Sequence, residues 1–407
     1  MRRILSRLFV VPAIALAVLL LAPAPSANAH GETAQEAFLR MGTVSFWNVK
    51  FSATEVEQGE QLKVTGTAKI LETWPEQLGE PELGFIGVVA PGPVVIIKER
   101  KINGAPAPHA IEVHKGGVYN FEITIAGRRP GRWHVHPIFG IHGAGSLLGP
   151  GQYIEVKESG KAFTNPVKLA SGQVVDLEKV GMGDVAFWAV VWLVVGLVWL
   201  LYWIVPKRTV ARLPVTSQIP LNTDGMEYGL ITKRDHKAMN VIMAVTLVLL
   251  AGGWIYQARA YPEKMPQQVL RFEPEPVAMT PSFVQAKATE VRYDDATHTV
   301  TMIVDVKNTG TRPATLQGFT TTTLTFPTAG VAEPVDGRSM TVSPSPTVAP
   351  GQATKLTLTI SDHVWREERL IPIGESRMQI TGVLRFKDDA GAENFVTVQS
   401  FITSLSA

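Results

Sequence analysis

The hydrophobic residues of this 407-residue chain follow two patterns, which predict different structural elements. Three long apolar runs, at residues 8–22, 185–205 and 238–256, contain no charged residue. Elsewhere, β-branched and aromatic residues alternate with polar ones, and Gly/Pro turns separate the segments, which is typical of half-buried β-strands. The chain is therefore predicted to be mainly β, with apolar helices at the uncharged runs.

The first run is predicted to belong to a secretory signal peptide, residues 1–29. Three arginines precede it, and the small-x-small sequence ANA at residues 27–29 follows it as a cleavage site. A short amino-terminal transmembrane helix is the alternative, but Pro12 and the 15-residue length favour the signal peptide. Cleavage would leave His30 as the first residue of the mature protein.

The other two runs, of 21 and 19 residues, are predicted to span a membrane. At about 1.5 Å per residue, each is long enough to cross a hydrocarbon core of about 30 Å. Aromatic residues that favour the membrane interface lie near their ends: Trp188, Trp203, Trp254 and Tyr256. A buried helix of a soluble protein is the alternative interpretation of each run.

The segment between the two spans, residues 206–237, is predicted to be a cytoplasmic loop. Its six basic residues all lie close to a membrane end, where the positive-inside rule applies. Both large flanking domains, residues 30–184 and 257–407, would then face the periplasm, consistent with export across a bacterial inner or intracytoplasmic membrane. Each flank has short strands at the spacing of a β-sandwich.

Composition limits the chemistry of the chain. With 38 basic and 36 acidic residues and no basic stripe, it is not expected to bind nucleic acid. Loss of the signal peptide leaves 35 basic against 36 acidic residues. The absence of cysteine excludes disulfides and thiolate metal sites, so any metal must be held by nitrogen and oxygen ligands.

Two histidines, His134 and His136, are candidate metal ligands. In a strand, alternation would put both imidazoles on one face, with Cα atoms about 6.5 Å apart. That spacing allows one ion to be shared, although paired surface or core histidines would show the same sequence. The histidines at positions 109 and 114 are expected to be solvated, and His142 to lie in a loop with at most an auxiliary metal role. The histidines at positions 298 and 363 are expected to be isolated and structural.

His30 would add two further nitrogen donors to this pair. As the first residue of the mature chain, it offers its α-amino nitrogen, which loses its proton near pH 8, and its imidazole. Together with His134 and His136 it would form a four-nitrogen set that suits Cu(II), the ion at the head of the affinity order for divalent first-row metals. The alternative is an incidental residue at a frayed terminus.

The sequence resembles the B subunit of the copper membrane monooxygenases, the family of particulate methane monooxygenase and ammonia monooxygenase. The resemblance covers nearly the whole mature chain and rests on the following segments: HGE at 30–32, AFLRM at 37–41, WPE at 74–76, RRPGRWHVH at 128–136, GPG at 149–151, NP at 165–166, GQVVDLE at 172–178, YP at 261–262 and APG at 349–351. The order of signal peptide, domain, two spans and domain is also similar.

The resemblance implies two cupredoxin-like β-sandwich domains around a transmembrane hairpin, with copper at His30, His134 and His136. It also implies assembly with membrane subunits A and C as a trimer of heterotrimers. Some methane-oxidising members have a further pair of histidines, and the matching positions here are Ser45 and Lys69, which does not favour a second copper site of that type. We expect Glu32 to orient one of the copper ligands without binding the metal itself.

These observations predict a copper-binding subunit of an oxygenase that hydroxylates methane, another small hydrocarbon or ammonia with O₂. Catalytic residues are not identified, and the reaction centre could belong to a partner subunit. The sequence does not identify the electron donor. The alternative is a non-enzymatic, membrane-tethered periplasmic protein that binds copper or assists copper assembly.

Overall fold

The structure is a computed structural model that describes residues 35–107, 110–169, 171–205, 232–262, 272–275, 277, 281–374 and 378–406. Several predicted features lie outside the described residues: the predicted signal peptide, His30, Glu32, His109 and residues 206–231 of the predicted cytoplasmic loop. The predicted fold class is confirmed: the chain is mainly β, with two β domains and two long apolar helices. The chain forms two compact units, residues 161–268 and the remainder.

The first β domain contains two sheets. One is antiparallel, in the order β1-β3-β8-β5-β6, and comprises β1 (Val44–Phe51), β3 (Gln61–Ile70), β8 (Val118–Gly127), β5 (Val95–Ile102) and β6 (Ala105–Pro106). The other has the order β2-β11-β9-β4-β7, with β10 paired to β9, and comprises β2 (Glu55–Glu57), β11 (Gln152–Lys157), β9 (Gly131–Ile141), β4 (Leu83–Val89), β7 (Ile111–Glu112) and β10 (Gly145–Leu148). A short 3-10 helix, Glu76–Leu78, follows β3.

Alternation along the strands builds the core of this domain. Val64 of β3 and Ile123 of β8 are fully buried, as are Val135 and Phe139 of β9, and all four belong to one hydrophobic cluster. Because side chains alternate across a strand, β9 presents Val135 and Phe139 to this core and its even-numbered residues to the opposite face. The candidate ligands on β9 therefore lie on the outer face of the second sheet.

The second β domain is one nine-stranded sheet that encloses its own core. The strand order is β17-β16-β21-β22-β14-β15-β20-β18, with β19 paired to β16. Its strands are β14 (Val284–Asp294), β15 (Thr299–Asn308), β16 (Ala314–Thr321), β17 (Leu324–Pro327), β18 (Thr341–Ser343), β19 (Thr347–Val348), β20 (Ala353–Ser361), β21 (Gln379–Asp388) and β22 (Glu393–Ser406). A short helix that we call α4 (Val364–Glu367) follows β20.

The segment that precedes the first β domain packs on the second. Helix α1 (Ala37–Gly42) contributes Ala37 and Met41 to the core of the second domain. Arg40 is buried; one of its guanidinium nitrogens donates to the Glu368 carbonyl at 2.6 Å and another to the Glu368 carboxylate at 2.9 Å. The two β domains are thus joined by contacts as well as by the chain.

The remaining unit contains the helices α2 (Met182–Ile204) and α3 (Lys233–Ala260), together with the strand pair β12 (Pro166–Lys168) and β13 (Val174–Asp176). The helices are antiparallel, because Asp184 at the start of α2 accepts a hydrogen bond from Tyr256 near the end of α3, and Tyr202 near the end of α2 bonds to Asp235 at the start of α3. Both are long and apolar enough to cross a membrane.

The helices differ from the predicted spans at their ends. Residues 233–237 are helical rather than part of the loop, because Thr232 and Asp235 form a capping box that starts α3 before the apolar run begins. No residue of α2 is buried, and Asp235 is the one buried residue of α3. Apolar helices with exposed side chains do not fit the alternative of a buried helix in a soluble protein.

Candidate metal centre

Strand β9 places the two candidate ligands next to each other. His134 lies opposite Tyr153 of β11, and His136 lies opposite Val89 of β4. Their ring centroids are 4.2 Å apart, with 71° between the ring planes. The prediction that alternation puts both imidazoles on one face is confirmed. The pairing of β9 with a neighbour on each side fixes the backbone from which both rings project.

The nitrogen atoms of the two rings converge. His136 Nδ1 lies 2.9 Å from the Gly149 carbonyl oxygen, and His136 Nε2 lies 3.1 Å from His134 Nδ1. A carbonyl oxygen only accepts, so His136 Nδ1 carries the proton and its Nε2 keeps a lone pair directed at His134. Metal-bound histidines commonly donate their other N–H to such a carbonyl. The tautomer of His136 is therefore the one that a metal ligand needs.

The separation of these nitrogens fits one shared ion. Two ligands at about 2.0 Å from a metal are roughly 2.8 Å apart at a right angle and roughly 3.3 Å apart at a tetrahedral angle. The observed 3.1 Å lies between these values. Without a metal, the same spacing accommodates a hydrogen bond from the His134 Nδ1–H to His136 Nε2. The residues present thus fit a metal held by nitrogen.

Neighbouring side chains restrict both rings. His134 stacks on Tyr153 with centroids 4.5 Å apart and 19° between the planes, and the Arg132 guanidinium lies 4.5 Å from the centre of the same tyrosine ring. His136 is 9% exposed. Restricted rotation lowers the entropy lost when the imidazoles bind an ion, which favours a preformed site.

The Gly149-Pro150-Gly151 segment has a role at this centre that the sequence did not reveal. It links β10 to β11, and Gly149 supplies the carbonyl that orients His136. A Cβ atom on Gly151 would lie 2.3 to 2.6 Å from three atoms of the His136 ring. Only a residue without a side chain leaves room for the imidazole there. The glycine-rich sequence was visible, but its contact with β9 depends on tertiary structure.

The other predicted ligands are not brought to this centre within the described residues. His30 and Glu32 are outside that part of the chain. His114 is exposed, as predicted, and lies edge-on to Tyr119. His142 lies in the turn between β9 and β10, which agrees with its predicted loop position. Over the residues that the structure describes, no group of three or more His, Asp or Glu side chains is placed to hold a metal. The described centre is therefore a two-histidine pair.

Comparison with known proteins decides the family. The model of the monooxygenase B subunit protein family matches residues 31–404, which is nearly the whole chain. The chain belongs to the monooxygenase B subunit family. A curated protein from Methylococcus capsulatus (strain Bath), named particulate methane monooxygenase alpha subunit, is 31% identical to this chain over 392 residues, covering 93% of this chain and 92% of the relative. The predicted resemblance is thus confirmed.

Among solved structures, this chain is similar to the cupredoxin domain of amoB from Nitrosocaldus yellowstonii. The match covers 32% of this chain and 96% of that domain, with 19% sequence identity and a TM-score of 0.25.

Lys69, one of the two positions that the resemblance matched to further histidines, forms an ion pair with Glu72. Ser45 and Lys69 face each other in the β1–β3 ladder, and both are buried. Lys69 Nζ lies 2.7 Å from a Glu72 carboxylate oxygen and 3.4 Å from the Thr397 hydroxyl, which itself donates to Glu72 at 2.7 Å. A protonated lysine has no lone pair for a metal. Lys69 and Glu72 instead join the first β domain to Thr397 of the second.

This contact is expected to weaken in acid. Burial alone would raise the pKa of Glu72, but hydrogen bonds from Lys69 and Thr397 and the charge of Lys69 outweigh it and lower this pKa below its ordinary value. A carboxylate with a lower pKa in the folded state stabilises the fold above its unfolded pKa, about 4.3, and loses that contribution as the pH falls through the folded value. The melting temperature of the detergent-solubilised protein should therefore decrease as the pH is lowered below about 4.5.

The Glu72→Gln variant should have a lower melting temperature than wild type at pH 7. Its melting temperature should also decrease less than that of wild type between about pH 5 and 3. Glu76→Gln is the matched control, because Glu76 is likewise an exposed carboxylate and lies four residues further on, at the start of the 3-10 helix. Identical pH profiles for Glu72→Gln and Glu76→Gln would contradict a role for the ion pair.

Proposed function

We propose that this chain is the copper-binding B subunit of a membrane-bound monooxygenase that hydroxylates methane, another small hydrocarbon or ammonia with O₂. The observation that carries the proposal is the convergence of His136 Nε2 and His134 Nδ1 at 3.1 Å in a chain of the monooxygenase B subunit family. Family membership supports the reaction class, and the nitrogen pair supports the metal.

Copper is the metal that best suits the donors. Imidazole nitrogen suits copper, zinc, nickel and iron, and copper(II) binds such ligands most tightly among the divalent first-row ions. Without cysteine in the sequence, a blue copper centre is excluded, and a nitrogen-only centre of tetragonal type is the form available. When bound, copper would supply a redox-active centre to the assembly.

His30 is the proposed source of the remaining ligands. Gln35 donates a hydrogen bond to the Ser146 carbonyl in β10, and Ser146 pairs with Gly140, four residues from His136 on β9. The four residues from Gly140 to His136 span about 13 Å along the strand. The five residues from Gln35 back to His30 span at most about 18 Å if fully extended. Residue 30 is therefore within reach of the pair. Glu32 is proposed to orient one of these ligands by a hydrogen bond.

The protein residues have defined tasks in this proposal. His134 and His136 each offer a lone pair. The Gly149 carbonyl accepts a hydrogen bond from the His136 Nδ1–H, and Tyr153 fixes the plane of the His134 ring by stacking on it. The nearly buried position of His136 limits the access of water to its side of the centre. These tasks suit a structural or electron-handling centre as well as a catalytic one, and the reacting atoms are not assigned to this subunit.

The proposed setting is a bacterial inner or intracytoplasmic membrane, with both β domains in the periplasm. Basic residues concentrated at 206–237 support a cytoplasmic position for the loop between the helices. The exposed apolar surfaces of α2 and α3 support contact with lipid and with membrane subunits A and C. The proposed assembly is a trimer of such heterotrimers.

A copper chaperone or assembly factor is the alternative function. Such a protein must release its ion and often uses soft methionine ligands, whereas the described pair is nitrogen only and partly buried. The rigid support of both rings also favours retention of the ion over its transfer.

Purification of the tagged chain from its native membranes tests the proposal. We expect two polytopic membrane proteins and copper to co-purify with it, and the intact mass to show a chain that begins at His30. A monomer that carries copper without partners would contradict the oxygenase and favour the chaperone. A mature chain that begins elsewhere would contradict the amino-terminal ligand alone.

A further inference from the structure

Two histidines of the second β domain lie side by side, although the sequence predicted them to be isolated. That prediction is wrong: the His298 and His363 ring centroids are 4.6 Å apart, with 61° between the planes. His298 ends the turn between β14 and β15, and His363 lies just before α4. The contact could not be predicted because the two residues are far apart in the sequence. It arises because β15 pairs with β20.

The backbone holds the two residues in place. Thr299 and Ser361 form the terminal pair of the β15–β20 ladder, and their hydroxyl groups are 2.8 Å apart. One residue further out, the Asp362 N–H donates to the His298 carbonyl at 3.1 Å. His298 has φ of +49°, a left-handed conformation that histidine adopts more readily than most residues, and β15 begins at the next residue. The positions of both rings therefore follow from regular strand pairing.

A polar chain orients the His298 ring. Its Nδ1 lies 3.4 Å from the hydroxyl oxygen of Tyr293, a buried residue. Burial raises the pKa of Tyr293 to about 12, and the charge of Asp295 and a hydrogen bond to it act in the same direction. The hydroxyl thus stays protonated and donates to Asp295, so its oxygen accepts the Nδ1–H of His298. Arg366 fixes Asp295 with contacts of 2.7 and 2.8 Å to its two carboxylate oxygens.

This arrangement leaves the His298 Nε2 lone pair available beside the second ring. Metal-bound histidines commonly donate their other N–H to a carboxylate, carbonyl or water oxygen, and the Tyr293 hydroxyl oxygen takes that place here. His363 is exposed and His298 half-buried, so an ion in solvent can reach both. Within the described residues, the His363 ring contacts His298 and makes no hydrogen bond. Its nitrogens are therefore open to coordination.

We propose that His298 and His363 form a second, solvent-accessible binding site for a divalent first-row transition metal, with Cu²⁺ bound most tightly. Each histidine contributes one nitrogen, and water completes the coordination. Two imidazoles in place of a larger ligand set imply weaker binding than at a four-nitrogen centre, with the order of affinity Cu²⁺ above Ni²⁺ and Zn²⁺. The proposal does not depend on the metal content or function of the first domain.

Copper titration of the full-length chain in detergent tests this site. The His134→Ala/His136→Ala double variant serves as the background, so that the first-domain pair does not contribute. Adding His363→Ala should weaken the binding of one Cu²⁺ per chain at least tenfold and reduce the imidazole nitrogen couplings of this ion from two to one in the pulsed electron paramagnetic resonance spectrum. His363 is exposed, so this substitution should leave the circular dichroism spectrum and the melting temperature unchanged.

His142→Ala in the same background is the matched control, because His142 is also exposed and belongs to no metal-binding cluster in the described part of the chain. It should leave the titration unchanged. Tyr293→Phe should weaken Cu²⁺ binding without changing its stoichiometry, because the ring loses its acceptor but keeps its nitrogens. Equal Cu²⁺ affinity and equal nitrogen coupling in the background, His363→Ala and His142→Ala proteins would overturn the proposal and leave the histidines as a packed pair.

Discussion

Replacement of both His134 and His136 by alanine is expected to abolish the tight copper binding that we propose for the first β domain. Each substitution deletes one of two converging nitrogen donors, and loss of a ligand should weaken binding more than about 100-fold, since loss of a supporting residue alone costs 10- to 100-fold. The measurement is copper content after dialysis, together with the nitrogen hyperfine pattern of the bound Cu²⁺. A His298→Ala/His363→Ala background excludes copper held by the second domain.

The single variants should differ in stability. His136→Ala leaves the buried Gly149 carbonyl without its donor, which costs about 1 to 3 kcal/mol, whereas half-buried His134 loses mainly its stack on Tyr153. His114→Ala is the control, because it removes an exposed imidazole from the same domain. Unchanged copper content and an unchanged spectrum in the double variant would refute the assignment of this pair as ligands.

Local pattern was sufficient to predict the candidate ligands on β9. Period-two alternation identifies residues 134 and 136 as neighbours on one face of a strand, and this inference needs no knowledge of the rest of the fold. The uncharged runs likewise identify the two apolar helices, because length and composition alone decide whether a helix can span a bilayer. The capping box at Thr232 and Asp235 then extends α3 beyond its apolar run.

Contacts between distant strands could not be predicted in this way. The role of Gly151 depends on where the chain returns after β10, and the His298–His363 pair depends on the β15–β20 register. Both follow from long-range pairing, which a single sequence does not specify. The Lys69–Glu72–Thr397 contact is of the same kind, since Thr397 belongs to the other β domain.

Gly151 provides a second test of the centre that leaves every candidate ligand in place. Gly151→Ala adds a Cβ atom 2.3 Å from His136 Cε1 and 2.5 and 2.6 Å from its two nitrogens. The imidazole must move, and it then loses its bond to the Gly149 carbonyl and its alignment with His134. Overpacking of this kind costs about 1 to 3 kcal/mol, which corresponds to about 5- to 150-fold in copper affinity if the ring must return to its position to bind.

Gly87→Ala in β4 is the matched control. Gly87 belongs to the same sheet, and a Cβ there would lie 3.5 Å from Ile138, an ordinary contact. We expect Gly87→Ala to bind copper as wild type does, and Gly151→Ala to bind it weakly while retaining the circular dichroism spectrum of a folded β domain. Wild-type copper affinity in Gly151→Ala would mean that the ion does not use His136 in the position that the Gly149 carbonyl gives it. Copper binding would then have to depend on other donors, because a fixed His136 ring and an alanine side chain cannot occupy the same space.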